Sequence, residues 1–280
     1  MTISVLVAGA TGDLGHRIVR EILGLGARVR VLTRGGAAAD RLSADDRVEV
    51  VSASYDDHPA LVSAVRGVDV VVSALSGTRT VIVDAQRALL DAAVEAGVPR
   101  FVPSDYSADY RGVTPGTNRN FELRREFAAD LDAAPIRATS VLNGAFADML
   151  TGQAPLVLFG RRRVLAWSSA DQVLDPDAPR FVEVAGDRVT SRSLADTMSR
   201  LTGVRHRVLW AGTTGSLSAM ATLGRRLSRD DDEPFPAWQG MQYFVTMFSG
   251  EGELRNLGGE RYRPERWTSV EDVLAEHLGV

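Results

Sequence analysis

Along the first half of the chain, short apolar runs alternate with stretches whose apolar residues recur every three or four positions. Ile3 to Ala8 is an unbroken apolar run rich in β-branched residues and closed by a glycine, the pattern of a strand buried on both faces. Behind it Leu14, Ile18 and Ile22 fall at every fourth position and give a helix one apolar face. The alternation continues. Ala27–Leu32, Arg47–Ser52, Val68–Ala74, Arg100–Pro103 and Ile136–Leu142 read as five further strands, with helices over Ala60–Val65, Val81–Ala96 and Phe121–Leu131. This pitch predicts an α/β fold built on a doubly wound parallel sheet with right-handed crossovers. Ligands of such sheets bind beyond the carboxyl ends of the strands, where the strand order reverses.

After about residue 150 the pattern changes. Two short apolar runs between Leu156 and Trp167 flank Gly160-Arg161-Arg162-Arg163, a hairpin signature. Phe181–Val184 and Arg207–Leu209 read as strands, and Ser193–Leu201 and Leu217–Leu227 as helices. Trp238–Phe248 is rich in aromatic residues and methionine, as befits a substrate cap or the packed face of one helix. Thr268, followed three residues later by Glu271, predicts a capped terminal helix. The expected organisation is therefore a sheet domain over residues 1–150 and a smaller α+β lobe over 151–280, with room for segments exchanged between them.

Between the first strand and the first helix stand Gly9, Gly12 and Gly15, with Thr11, Asp13 and Leu14 among them. Strand, glycine turn and helix within about 20 residues is the arrangement of a Rossmann-type dinucleotide site. Gly9 would let the chain turn off the strand, Gly12 would admit a pyrophosphate to backbone N–H groups, and Gly15 would let helix and strand pack closely. The anion then lies at the positive end of the helix dipole. Glycines also serve tight turns without any ligand. After the second strand comes Thr33-Arg34-Gly35-Gly36, where a site preferring NAD would carry an acid for the ribose 2′-hydroxyl. Arg34 offers instead a planar fork suited to a 2′-phosphate, with Arg41 in support, so NADP(H) is the expected cofactor. A solvated surface arginine is the plainer alternative.

Composition narrows the chemistry. The 280 residues are 45% apolar and 24% charged, and the net charge of −4 gives no reason to expect nucleic acid. Without cysteine there is no thiolate chemistry, and the four histidines, His16, His58, His206 and His277, show no ligand spacing, so no metal is expected. No apolar run has the length of a membrane span, and the N-terminal one is too short for a signal peptide; a cytoplasmic protein is the expectation. All 32 basic residues are arginine. No mechanism in this chain can use a lysine ammonium or Schiff base.

The run Gly9-Ala10-Thr11-Gly12-Asp13-Leu14-Gly15 resembles the NmrA-like and isoflavone-reductase-like branch of the atypical short-chain dehydrogenases/reductases. The resemblance implies that Ala74, Leu75 and Ser76 lie along the cofactor's ribose and nicotinamide, and that Asn143 and Phe146 line its reactive end. It places Ser104, Asp105 and Tyr106, within Phe101–Tyr110, beside the nicotinamide; these residues are also ordinary turn formers. Gly112–Asn120 reads as a mobile loop, or lid, ahead of the next helix. Matching Thr139 and Phe146 to the family pattern puts Arg124 where the family has its catalytic lysine, and neither Tyr106 nor Tyr110 has a lysine four positions on. Two functions follow from the resemblance: an NADPH-dependent reductase of a small carbonyl, enone or quinone, or a non-catalytic NADP(H)-binding regulator of the NmrA type that acts through a protein partner.

Overall fold

The computed structural model describes residues 2–34, 45–146, 157–158, 163–164, 179–185, 187, 189–228, 233–255 and 268–280. Of the features read from sequence, Gly35, Gly36, Arg41 and the arginine turn at 160–162 lie outside the described residues. The chain divides into two compact units, one of Met1–Asp105, Arg119–Ser140 and Asp230–Pro234, the other of Tyr106–Asn118, Val141–Arg229 and Phe235–Val280.

The first unit is built on a six-stranded sheet of β1 (Ser4–Ala8), β2 (Arg28–Thr33), β3 (Val48–Ser52), β4 (Val70–Ser73), β5 (Arg100–Val102) and β6 (Arg137–Ala138), in the order β3-β2-β1-β4-β5-β6. Every pairing in it is parallel. From β1 the chain winds outward through β2 to β3, then returns to β4 on the other side of β1. That reversal is the switch point at which such sheets bind ligands, and it sits where Ala8 pairs with Ser73. Val5, Leu6, Val7 and Ala8 are fully buried, as an unbroken apolar run on a central strand requires.

The helices of this unit are α1 (Asp13–Gly24), α2 (His58–Val65), α3 (Gln86–Glu95) and α4 (Arg119–Ala133). Asp57 caps α2, accepting from the Ala60 N–H at 3.0 Å, and Pro59 occupies the first turn, where a missing N–H does no harm. Leu61, Val65, Leu89 and Leu131 pack with Leu6 and Phe101 in the main core, where the Phe101 and Phe127 rings lie 6.0 Å apart. Each such side chain contributes about 1.5–3 kcal/mol on burial. The helix expected over Val81–Ala96 is composite: it opens as a π-helix over Thr80–Ala85 before α3 begins.

The strand expected over Ile136–Leu142 is two strands. β6 pairs with β5, whereas β7 (Ser140–Leu142) pairs with β10 (Phe181–Glu183) in a separate two-stranded sheet. The break falls at Thr139, whose N–H still donates to Phe101 O at 3.1 Å and whose hydroxyl accepts from the Arg100 guanidinium at 2.6 Å.

In the second unit, β8 (Val157–Leu158) and β9 (Arg163–Val164) form the antiparallel pair of the expected hairpin. The helices are α5 (Ser191–Thr202), α6 (Thr214–Leu227), α7 (Ala237–Ser249) and α8 (Val270–Leu278). Reciprocal boxes of Thr190 with Ser193 and of Thr213 with Ser216 start α5 and α6. The box on α8 is Ser269 with Asp272, one residue later than Thr268 and Glu271. Arg207–Leu209 is not a strand; only Arg207 has bridge geometry. Nor is the segment before α4 a free lid. Its residues up to Asn118 are pinned within the second unit: Asp109 N–H donates to Gly252 O at 3.2 Å, Thr114 N–H to Glu251 at 3.0 Å, and Val113 and Asn118 are buried.

Candidate functional site

The glycine loop joins β1 to α1 at the switch point, and its three glycines have different reasons to be glycine. Gly9 has φ +82°, and a Cβ on it would stand 2.6 Å from the Ala74 carbonyl oxygen. The two strand ends are stitched together there by Ala74 N–H donating to Ala8 O at 2.8 Å. A Cβ on Gly15 would stand 2.1 Å from Gly9 O, so helix and loop touch backbone to backbone. Gly12 is unlike both. Its φ of −79° and ψ of 166° suit any residue, and the only neighbour of a Cβ would be Gly9 O at 3.4 Å. Packing among the described residues gives Gly12 no reason to lack a side chain. Gly12 is also the N-cap of α1, and no side chain among the described residues caps that helix, so its leading N–H groups are open to an outside acceptor. Thr11 and Asp13 are exposed beside it, and Leu14 is half-buried. A bare helix start with an open glycine is the cradle that a pyrophosphate fits.

The loop after β4 is held from the far side. Ser104, buried behind β5, donates its hydroxyl proton to Leu75 O at 2.6 Å, and its N–H donates to the Gln86 side chain at 2.9 Å. Gln86 in turn donates to Ile82 O at 2.6 Å, across the π-helical turn. Leu75 is therefore held at the carboxyl end of β4 by Ser104, a residue assigned from sequence to chemistry. Asp105 is 1% exposed and accepts from the Ser140 hydroxyl at 2.6 Å. Tyr106, the next residue, is buried in the second unit.

Arg34 is exposed just beyond β2, where Ala53 N–H donates to Thr33 O at 3.1 Å and brings the end of β3 alongside. Tyr55 follows β3 and packs on the main core. Burial pushes its phenol up to about 12, while the charge of Arg34 pulls the other way, so the two side chains sense each other. Arg124 lies on α4, half-buried. One of its terminal nitrogens donates to Asn120 O at 3.1 Å, its buried Nε has no partner among the described residues, and it has no carboxylate there. Its neighbours differ: Arg125 pairs with Glu122, Arg79 with Glu126 and Arg87 with Asp130.

In the second unit, Asn143 is 1% exposed, its N–H donates to Ser107 O at 3.0 Å, and its Oδ1 has no partner among the described residues. Gly144 follows with φ +69°, and Phe146 is half-buried. Sequence reasoning missed Gln86, Ser140 and Tyr55; a polar residue inside an apolar helix face was the one available signal, for Gln86. Among the described residues, no three His, Asp or Glu side chains gather as a metal site, and no helix is long and apolar enough to cross a membrane.

Residues 1–159 match the model of the NmrA-like family, more than half of the 280-residue chain. The chain belongs to the NmrA-like family. Among curated relatives, pinoresinol reductase 2 of Arabidopsis thaliana is 38% identical over 166 residues, a match covering 53% of this chain and 51% of the relative. The match thus spans about half the length of that protein. The structure of AtPrR2 with NADP+ and (+)pinoresinol superposes with a TM-score of 0.77 at 24% identity, covering 99% of both chains. The NADPH complex of the quinone oxidoreductase QOR2 from Escherichia coli gives 0.73 at 19%, covering 99% of this chain and 100% of that one. At these identities the structural likeness carries the fold.

Proposed function

We propose that this chain is an NADPH-dependent reductase of a small carbonyl, enone or quinone. The observation that carries the reading is the cradle at Gly12: an uncapped helix start, at the switch point of the sheet, beside a glycine the fold does not need. Relatives in sequence are named as reductases, and structures of the same fold hold NADP+ or NADPH. Gly9, Thr11, Gly12, Asp13, Leu14 and Gly15 would hold the pyrophosphate, Arg34 the 2′-phosphate, and Ala74, Leu75 and Ser76 the ribose side. Bound NADPH supplies a hydride. Arg124 would stabilise the negative charge that develops on the substrate oxygen, a role that needs charge and position but no proton transfer. Its half-buried guanidinium, with no acid among the described residues to neutralise it, supports that role. Ser104 acts by positioning the Leu75 loop, since its hydroxyl proton is already donated. Tyr106 as proton donor, Asp105 as an aid to an ordered water, and Asn143 and Phe146 at the reactive end rest on the family resemblance.

The second reading, an NADP(H)-binding regulator without turnover, is favoured by one fact, the absence of any lysine. The test follows deuterium from labelled NADPH into product across a panel of carbonyls, enones and quinones. Transfer that falls in Arg124→Ala, with NADPH affinity retained, supports the reductase. Tight NADPH binding with no transfer to any acceptor overturns it in favour of the regulator.

A further inference from the structure

We infer that the second unit carries a binding site for a small hydroxylated anion, in the cavity between α6, α7 and the turn at Gly116–Thr117. The cavity holds about 250 Å³, and all of its lining residues belong to the second unit. At about 30 Å³ per water that is room for roughly eight waters, or for a molecule of about that many heavy atoms.

The lining specifies the chemistry. Among the described residues, Arg225 is its one charged lining residue and no carboxylate lines it. Arg225 has no ion-pair partner among the described residues; its guanidinium carbon lies 5.5 Å from the centre of the Trp238 ring. A cation–π contact at that distance leaves the guanidinium N–H groups able to donate to a ligand. Trp238 can sit there because Gly224 lets the helices close: a Cβ on Gly224 would be 3.1 Å from Trp238 Cβ. The site therefore has an exposed cation, with no acid beside it among the described residues, that asks for an anion.

The hydroxyls ask for something else. Thr117 donates its proton to Thr114 O at 2.6 Å, and Thr222 donates to Ser218 O at 2.9 Å. With their protons directed to those carbonyls, both oxygens face a ligand as acceptors, so a ligand that brings donors suits them. Ser218 and the Gln242 side chain complete the polar wall, while Ala221 and Val245 present methyl groups to a short carbon skeleton. An oxyanion alone would satisfy Arg225 and leave the threonine oxygens facing acceptors. A polyol alone would leave the guanidinium without its counter-charge. A compact molecule with both, an anionic group on a hydroxylated carbon chain, meets the whole lining. Hydroxycarboxylates and phosphate esters of small polyols share that chemistry.

The test is calorimetric titration of the full-length protein, without nicotinamide cofactor, with L-malate, glycerol 3-phosphate and succinate. Saturable binding of malate or glycerol 3-phosphate is expected, and which of the two binds more tightly identifies the anion. Succinate, which lacks the hydroxyl, should bind at least several-fold more weakly than malate. Arg225→Gln should lower affinity ten- to a hundredfold, the usual effect of losing one charge-assisted contact. Thr222→Val, which keeps the helix and removes one acceptor, should narrow the gap between malate and succinate. Melting curves of both variants identify any loss that comes from unfolding; if Arg225→Gln does not fold, Thr222→Val and the malate–succinate gap decide alone. No saturable binding of either hydroxylated probe overturns the inference, as does binding that neither variant changes. Because no cofactor is present, the outcome is independent of whether the protein reduces anything.

Discussion

The three glycines of the first loop should fail in different ways when each becomes alanine. In Gly15→Ala the new Cβ would lie 2.1 Å from Gly9 O, against the 3.0 Å inside which real Cβ atoms essentially never come. The obstacle is backbone on both sides, so α1 must move away from the loop. Overpacking costs about 1–3 kcal/mol, and with no flexible side chain to give way the upper end applies. At about 2–4 °C per kcal/mol, melting should fall by roughly 6–12 °C. Gly9→Ala adds the strain of a left-handed backbone, about 1–2 kcal/mol, to a 2.6 Å clash with Ala74 O, and should lose a comparable amount. Gly12→Ala meets only Gly9 O at 3.4 Å with an ordinary φ of −79°. It should lose no more than about 1 kcal/mol, the scale of a changed N-cap residue. A methyl at the open helix start would nonetheless displace a pyrophosphate, and losing one or two charge-assisted contacts lowers NADPH affinity by roughly tenfold to several hundredfold or more. Circular dichroism melting and NADPH fluorescence titration on the same three variants separate the two effects. If Gly12→Ala melts as low as Gly15→Ala, the cradle is structural. If Gly12→Ala binds NADPH as the wild type does, the phosphate is held elsewhere.

Arg34→Ala should lower NADP(H) affinity roughly ten- to a hundredfold and leave NAD(H) affinity unchanged, by calorimetry; equal affinity of the wild type for the two cofactors would remove Arg34 from the site. Tyr55 should titrate near pH 12 in an ultraviolet difference titration, well after an ordinary tyrosine. Its pKa is raised on folding, so the unfolded chain releases that proton first; the contribution to stability is complete below pH 10 and is lost as pH rises from 10 to about 12. Phenols that all titrate together near pH 10 would show Tyr55 to be solvated.

Local pattern reached far in this chain where a single element decides its own geometry. The strand, glycine turn and helix at Ser4–Gly24 were legible because buried parallel strands and amphipathic helices leave opposite periods in sequence. What local pattern does not hold is a partner. The apolar run ending at Leu142 gives no sign that its first half pairs with β5 and its second with β10, since both halves satisfy the same alternation. Thr268–Glu271 and Ser269–Asp272 both have capping-box spacing, and only the packed helix distinguishes them. The turn-rich composition of Gly112–Asn120 reads as a loop; it does not show that Arg119 and Asn120 already belong to α4, or that Thr114 is tied to Glu251 from the far end of the sequence while Val113 and Asn118 are buried. At the site, residue types pointed to Ser104, while its partner Leu75 O is a backbone atom of a distant loop, which no side-chain pattern records.

The arginines carry the last step. Exposed ion pairs such as Arg200 with Glu271 contribute little and say little about function. Arg124 is informative because it is half-buried and lacks an acid among the described residues, at the position where the family resemblance expects lysine. The two cations differ in one property that matters for a reductase: arginine stays protonated throughout the working pH range, whereas a lysine desolvated in a site can titrate. Arg124→Lys therefore should not act as a neutral exchange. It keeps the positive charge that steadies a developing oxyanion and adds a group able to lose its proton. In the wild type the turnover profile should carry no limb from residue 124. In the lysine variant turnover should acquire an alkaline limb, falling about tenfold per pH unit once the ammonium titrates, while NADPH affinity stays flat across the same range. Arg124→Gln, which lacks the charge at every pH, should be slow throughout and show no such limb. Identical pH profiles for all three proteins would mean that residue 124 does not face the reacting oxygen.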